Sequence, residues 1–328
     1  MKRKDTEFLH ATARIRALEG KLLTQDRVER MLEAKTVADA MKLLPELGYA
    51  EVQPPTMTRL NEVLSDARRE THALMRQISP VEELGDVFAV VYDYHNVKTL
   101  LKAQARNVDA SYLLIDAGRV PVAKLTAALR QQEFRVLPEA LERAAAEARD
   151  VLARTEDPRL ADMVLDRAQF SEMREIADKI GDSFLVGYIK LKVDAANLRS
   201  VVRATRQKQS TQALRELLLP GGEIEPAMLL SPDRLQELYH GSVLESAAEE
   251  GARAMSGATD FVRFEKLCDD AITEYLRSAK LIPFGIAPLV AYFAAKEAEL
   301  TMLRILFSGK NEDLPNEEIR ERVRVVYV

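Results

Sequence analysis

Groups that commonly carry out chemistry are sparse in this sequence of 328 residues. Its one cysteine, Cys268, excludes an intramolecular disulfide, and we expect it to be a small core residue in a protein of a reducing compartment. No histidine is followed by a second metal ligand three or four residues later, and the histidines are His10, His72, His95 and His240. We therefore expect no zinc or di-metal site.

A phosphate-binding loop is also missing. The two Gly-Lys pairs, at 20–21 and 309–310, lack both the glycine five residues upstream and the hydroxyl residue after lysine. Acidic residues are plentiful, but no pair of them stands out from a solvent-exposed helix face. His95 falls within a repeated motif, yet its counterpart in the second copy is Ala196, which favours local packing over a catalytic base. We expect no catalytic site, no cofactor and no nucleotide hydrolysis by this chain.

Long apolar runs are absent as well. The longest, at 281–295, is interrupted by Pro283, Gly285 and Pro288 and is too short for a transmembrane helix. The charged start of the chain has no apolar segment typical of a secretory signal, and a net charge of −5 gives no reason to expect nucleic acid. We expect a soluble, monomeric chain that contacts a membrane only through a partner. Phe284, in the turn at 283–286, is the candidate for exposed apolar docking.

The residues that are present favour helix throughout, because Ala, Leu, Glu and Arg are abundant and only 13 residues are glycine. One segment recurs three times: DYHNVKTLLK at 93–102, DAANLRSVVR at 194–203 and ELTMLRIL at 299–306. The acidic positions lie 101 and 105 residues apart, close to a third of the chain. A second match links 24–31 with 231–238. We predict an all-α protein of three helical repeats, at 1–118, 119–221 and 222–328.

The motif places polar groups on an apolar helix stripe. Asp93 and Asn96, like Asp194 and Asn197, share the stripe because positions i and i+3 lie on one face of a helix. In the third copy Glu299 keeps the acid, but Met302 replaces the amide. Buried carboxylate and amide groups require hydrogen-bond partners, so we predict that these residues fix how each motif helix docks on its neighbours.

Basic residues recur at the edge of the same stripe. They are Lys98, Arg199 and Arg304, with the neighbouring Lys102 and Arg203. Two interpretations stay open: each cation reaches a carboxylate across a helix junction, or it reaches a carboxylate of a partner protein. Under the second interpretation the cations face a cavity.

Capping residues, prolines and glycines predict where several helices begin and end. Thr24 and Asp157-Pro158 are N-terminal caps, and the segment 158–180 is a long amphipathic helix. Ser79-Pro80 is expected to open a helix with a capping box. Gly309 is expected to end the third motif helix. Pro220-Gly221-Gly222 marks the firmest boundary, because it stops any helix.

Four stretches together carry a family resemblance: ARIRALE at 13–19, DYHNVKTLLKA at 93–103, AYFAAKEAE at 291–299 and LPNEEIRERVR at 314–324. They resemble the C-subunit family of V/A-type ATPases, a relative of the d subunit of the eukaryotic V-ATPase, in order and in spacing over nearly the whole chain. Met302 departs from the repeat, which argues against equivalent roles for the three amide positions.

The resemblance implies a fold and a function. The fold would be a funnel of three helical repeats about a pseudo-three-fold axis. The protein would be a non-catalytic central-stalk rotor subunit on the cytoplasmic face of the membrane. It would join the D and F subunits of the central shaft to the proteolipid ring that transports H⁺ or Na⁺. The alternative is a soluble all-helical repeat scaffold unrelated to rotary ATPases.

Overall fold

A computed structural model describes residues 5–328, and every regular element within them is a helix. The charged start at 1–4, where we expect no secretory signal, lies outside the described residues. The prediction of an all-α protein is confirmed. The described residues form these α-helices: α1 Leu9–Glu19, α2 Gln25–Glu33, α3 Val37–Met41, α4 Met57–Ile78, α5 Leu84–Arg106, α6 Val122–Gln131, α7 Glu139–Thr155, α8 Pro158–Ile180, α9 Ser183–Arg206, α10 Thr211–Leu217, α11 Leu235–Leu238, α12 Glu245–Met255, α13 Phe261–Arg277, α14 Ile286–Asn311 and α15 Asn316–Arg322.

Short 3-10 helices lie between them, at Asp5–Phe8, Leu44–Leu47, Ser111–Leu113, Phe134–Val136, Met228–Leu230, Pro232–Arg234 and Ser278–Leu281. Side-chain caps begin several α-helices. Thr24 accepts the Arg27 N–H at 3.3 Å and opens α2, and Asp157 accepts the Arg159 N–H at 2.9 Å before Pro158 opens α8. Both predicted caps are confirmed, because an N-cap oxygen satisfies an amide that has no partner inside the helix.

Two predicted helix ends are wrong. Ser79 follows the last turn of α4, and its hydroxyl accepts the Val81 N–H at 3.1 Å in a local turn, so α5 begins only at Leu84. Gly309 does not end α14, which continues to Asn311. A Cβ at Gly309 would lie 2.8 Å from a side-chain carbon of Ile319, so this glycine allows α15 to approach α14 closely.

The core divides into three apolar clusters. The largest runs along α5, α7 and α8 to the first half of α14, and the second joins α2 to α4 with the last half of α14. The third is built on α9, α12 and α13 and contains Cys268. The prediction that Cys268 is a core residue is confirmed, and burial raises the pKa of its thiol to about 12.

The apolar run at 281–295 is buried from Ile286 onward, while Leu281 is 88% and Phe284 43% exposed just before it. In the part of the chain that the structure describes, no helix is long and apolar enough to cross a membrane.

Three pairs of long helices organise the fold, and they are α4–α5, α8–α9 and α13–α14. The second helix of each pair carries one copy of the motif, and we call α5, α9 and α14 the motif helices. Each motif helix also packs on the first helix of another pair: α5 on α8, α9 on α13, and α14 on α4. We call these contacts the first, second and third junctions. The third junction brings the chain back to its first long pair.

Candidate functional site

The motif acid of α5 holds the segment that precedes α6. Asp93, fully buried, accepts the Val120 N–H at 3.1 Å and the Arg119 Nε–H at 2.8 Å. Arg119 also donates to Glu172 of α8 at 2.7 Å. Burial raises the pKa of Asp93, although the Arg119 guanidinium and the Val120 amide act in the opposite direction. The carboxylate therefore connects α5 both to the chain that follows it and to α8.

The other two motif acids make comparable contacts. Asp194 of α9 accepts the backbone N–H groups of Glu223 and Ile224 at 2.9 and 3.3 Å, and burial raises its pKa. Glu299 of α14 accepts the Leu23 N–H at 2.5 Å, where Leu23 lies just before α2. Glu299 also accepts the Tyr49 hydroxyl at 2.5 Å. The first two acids thus hold chain that follows them, whereas Glu299 holds chain near the start of the protein.

The asparagine side chains of the motif hydrogen-bond to backbone groups near the segments that the motif acids bind. Asn96 donates to the Ile115 carbonyl at 2.8 Å and accepts the Ile115 N–H at 2.9 Å. Asn197 makes the same pair of bonds with Leu219, at 2.8 and 2.7 Å. Met302 has no group that could do this and is buried among apolar side chains.

Two glycines lie in the loops that Asp93 and Asp194 bind, where they allow the backbone to approach these carboxylates closely. Sequence reasoning did not assign them this role. A Cβ at Gly118 would lie 2.2 Å from Asp93 Oδ1, and one at Gly222 would lie 2.1 Å from Asp194 Oδ1. Only glycine fits here. The available signal was a glycine at both predicted repeat boundaries, two residues before Val120 and two before Ile224, the residues whose N–H groups the acids bind.

The motif cations of the first two junctions have carboxylate partners within the chain. At the first junction Lys98 pairs with Asp166, and Lys102 lies 3.0 Å from Asp162. The carboxylates of α8 are spaced i, i+4, like the cations of α5. These are the helix-junction contacts of the first interpretation, and contact of the two lysines with a partner protein stays a prediction.

The second junction repeats the arrangement with arginines. Arg199 of α9 lies 2.7 Å from Glu265 and 2.5 Å from Asp269 of α13, and Arg203 lies 2.6 Å from Glu265. The Arg199 and Glu265 side chains are each about one-fifth exposed, whereas Asp269 is 40% exposed, so the Arg199–Glu265 pair is the better shielded from solvent. Partner contact by these arginines likewise stays a prediction.

The third junction differs. Its carboxylate is Glu297 of α14, which lies 3.0 Å from Arg68 Nε and 3.1 Å from His72 Nε2 on α4. Glu297 also accepts the Tyr92 hydroxyl. Burial raises the pKa of Glu297, but the His72 contact, the Arg68 charge and the Tyr92 bond together lower it to about 2. Sequence reasoning missed this network, since Glu297 has no counterpart in the other motif copies.

Arg304, two helical turns beyond Glu297, has no ion-pair partner among residues 6–328, whose side chains the structure describes. Its Nε is buried and makes no hydrogen bond, and the same is true of Nη1 of Arg68. Burial and the neighbouring Arg68 charge lower the pKa of Arg304. Two guanidiniums thus share a region with one carboxylate.

Two cavities border these groups. A central cavity of about 440 Å³ receives side chains from all three motif helices, among them Tyr92, Arg199 and Glu297. A lateral cavity of about 510 Å³ lies between α13, α14 and α15 and is lined by Arg304 and Arg322. Of the predicted cations, Arg199 therefore faces the central cavity and Arg304 the lateral one.

The remaining candidate residues lie apart from these cavities. Phe284 is at the exposed turn before α14, and its contact with a partner stays a prediction. His95 Nε2 lies 3.1 Å from the Leu113 carbonyl, so it has a local packing contact. The described residues contain no group of three His, Cys, Asp or Glu side chains that could hold a metal ion.

Comparison with known proteins shows which family the sequence of this chain matches. The model of the ATP synthase (C/AC39) subunit family matches residues 11–322. The C subunit of the V-type sodium ATPase of Enterococcus hirae is 25% identical, over 98% of this chain and 99% of the relative. The C subunit of the A-type ATP synthase of Thermococcus kodakarensis is 26% identical, over 98% and 91%. That of Methanocaldococcus jannaschii is 25% identical, over 95% and 85%.

Proposed function

The chain belongs to the ATP synthase (C/AC39) subunit family, and we propose that it is the non-catalytic central-stalk subunit of a V/A-type rotary ATPase. In this role it is a socket between the D and F subunits of the shaft and the proteolipid ring that transports H⁺ or Na⁺. It is peripheral, on the cytoplasmic face, and contacts the membrane only through the ring. The family assignment argues against a scaffold unrelated to rotary ATPases.

The cyclic order of contacts carries this proposal. Asp93 and Asp194 bind backbone at the start of the following segment, and Glu299 binds Leu23 near the start of the chain. The long helices follow the same order, because the last motif helix packs on α4. Such an order is expected if the three regions 1–118, 119–221 and 222–328 are repeats about one pseudo-three-fold axis.

A closed cycle suits the transmission of torque. Each motif helix is held by hydrogen bonds from buried or half-buried groups, and satisfied buried polar networks make a structure rigid. In a funnel of this kind the axis passes where the three motif helices meet, and the central cavity receives side chains from all of them. The shaft is expected to occupy the wide end and the ring loops the opposite end.

Purification of the tagged chain from native membranes tests the proposal. We expect the D and F subunits and the proteolipid ring to co-purify with it. Deletion of its gene should leave ATP hydrolysis by the catalytic subunits intact while ATP-driven ion transport is lost. Recovery of the chain without either partner, or ion transport that persists after the deletion, would contradict the proposal.

A further inference from the structure

The three junctions differ in the carboxylates that face the motif cation. At the first and second junctions two cations spaced i, i+4 face two carboxylates with the same spacing. At the third junction Arg304 is followed four residues later by Ser308 instead of a second cation. The carboxylates that would face Arg304 are missing.

The sequence of α4 explains the missing carboxylates. Asp166 lies 28 residues before the motif acid Asp194, and Asp269 lies 30 residues before Glu299. The residues 28 to 30 positions before Asp93 are 63–65, Val-Leu-Ser. The nearest acids of α4 are engaged on its surface, since Asp66 pairs with Arg69 at 2.5 Å and Glu62 with Arg59 at 2.8 Å.

Glu297 does not compensate for this absence. It already accepts from Tyr92 and lies within hydrogen-bond distance of Arg68 and His72. The Arg68 side chain is 4% exposed, so its charge depends on Glu297. A guanidinium nitrogen that is buried without an acceptor is unfavourable, and Arg304 Nε is in that position.

The lateral cavity gives Arg304 a place to meet an anion. Among its other charged lining residues, Glu265 is bound by Arg199 and Arg203, and Arg324 lies 2.8 Å from Asp269. The other two are Arg322, which lies 3.9 Å from Glu318, and Glu312, which is exposed. The remaining wall is largely apolar and includes Phe261, Val262, Ile305, Leu314 and Ile319. A cavity with an apolar wall and one unpaired guanidinium suits a protein segment better than a free, hydrated ion.

We propose that Arg304 and the lateral cavity bind an acidic side chain of a protein partner in the rotary assembly. The carboxylate supplies the counter-ion that Asp166 and Glu265 supply at the other junctions, and apolar residues next to it in the partner cover the apolar wall. The identity of the partner rests on the proposed function. The chain thus keeps two motif junctions for its own closure and leaves the cation of the third for a neighbour.

The experiment compares Arg304→Met with the wild type, because methionine keeps the apolar stem and removes the charge. The probes are the purified D/F shaft pair and the detergent-solubilised proteolipid ring. Affinity is measured at about 50 mM and about 200 mM salt, and the thermal unfolding midpoint of each variant is recorded. Arg234→Met is the matched control, since Arg234 is exposed and pairs with Glu237 three residues away.

We expect Arg304→Met to bind one of the probes at least about tenfold more weakly, with a smaller salt dependence. Its unfolding midpoint should be unchanged or higher, because an uncompensated charge has been removed. Arg234→Met should bind like the wild type. Charge reversal at Arg304 should abolish binding, and exchange of one acidic residue of the bound partner for arginine should restore it.

Other outcomes would distinguish failure of the proposed function from failure of the proposed acid-binding site alone. If the wild type binds neither probe, the proposed function fails and this inference with it. If the wild type binds but Arg304→Met binds equally well, the function stands and the acid-binding site is wrong. A fall in the midpoint that accompanies weaker binding would make Arg304 a structural residue. Competition by inorganic phosphate at the wild-type site alone would assign the cavity to a free anion, which also overturns the proposal.

Discussion

The first and third junctions join the same kinds of helices by opposite means. On the first, Lys98 and Lys102 meet two carboxylates of α8 at a partly exposed surface. On the third, Glu297 is the carboxylate partner of a buried Arg68, and Arg304 has none. Exposed pairs contribute little to stability, whereas the loss of one member of a buried pair costs much more. The stability of the closed cycle of helix contacts should therefore be most sensitive to substitutions at the third junction.

The largest expected effect is that of Glu297→Gln. Glutamine keeps the size of the side chain but leaves the charge of Arg68 buried beside Arg304 without a counter-ion. We expect a loss of about 3–5 kcal/mol in the free energy of unfolding, measured by urea denaturation at neutral pH. The matched change at the first junction is Asp166→Asn, whose side chain is 45% exposed, and it should cost less than about 1 kcal/mol. Equal losses at both junctions would show that burial of the ion pair does not determine its contribution to stability.

Gly222→Ala tests a feature of the first two motif copies that the third lacks. Its Cβ would lie 2.1 Å from Asp194 Oδ1, so the loop or the carboxylate must move, at a cost of about 2–3 kcal/mol in unfolding free energy. The corresponding position before Leu23 is Lys21. Gly20→Ala is the control, because its Cβ would come no closer than 3.7 Å to a neighbouring atom and should leave stability nearly unchanged. A harmless Gly222→Ala would show that Asp194 is not held tightly.

Asn96→Ala removes both hydrogen bonds to Ile115. Because partly buried backbone groups of Ile115 lose their partner, we expect about 2 kcal/mol of lost stability and a lower thermal midpoint. Asn197→Ala should behave alike through Leu219. Asn61→Ala, at an exposed position of α4, should have little effect. If Asn96→Ala unfolds at the wild-type temperature, the Asn96 hydrogen bonds do not stabilise the fold.

Acid should change the stabilising contributions of Glu297 and Asp93 in opposite directions. The pKa of Glu297 is lowered to about 2, so its stabilising contribution is complete above its unfolded pKa of about 4.3 and is lost as pH falls towards 2. The difference in stability between the wild type and Glu297→Gln should shrink by about 1–2 kcal/mol between about pH 5 and pH 2.5.

Asp93 provides the contrast. Burial raises its pKa, so its contribution to stability grows as pH falls from the folded pKa to the unfolded one. The difference between the wild type and Asp93→Asn should therefore widen in acid. Differences that moved in the same direction for both residues would contradict these assignments. Urea midpoints measured across the pH range for each variant would decide.

Sequence periodicity was sufficient for the parts of this fold that are local. The stripe of Asp93 and Asn96, the caps at Thr24 and Asp157, and the helix break at 220–222 all depend on neighbours within a few turns. The network of Glu297 could not be predicted, because Arg68 lies 229 residues away in the chain. The spacing of motif cations indicated a carboxylate across a junction or in a partner, but not which one.

Gly309 and Ser79 show a different limit. A glycine after an apolar helix is typical of a C-terminal cap and also of close helix packing, and only the position of Ile319 decides between them. Likewise Ser79-Pro80 fits both a capping box and the end of α4. In each case two local structures share one sequence pattern, and a distant contact selects one.

The smallest effect is expected for the ion pairs of the first junction. A double-mutant cycle of Lys98→Met and Asp166→Asn, followed by urea denaturation, should give a coupling of about 0.5 kcal/mol, because the Asp166 side chain is 45% exposed. The cycle of Arg199→Met and Glu265→Gln should give more, since both side chains are about one-fifth exposed. A coupling at Lys98 as large as the loss caused by Glu297→Gln would mean that the balance of charges, and not burial, determines how much each junction contributes to the free energy of unfolding. A small coupling would mean that the first junction closes mainly through apolar packing, and that the third closes through its buried network.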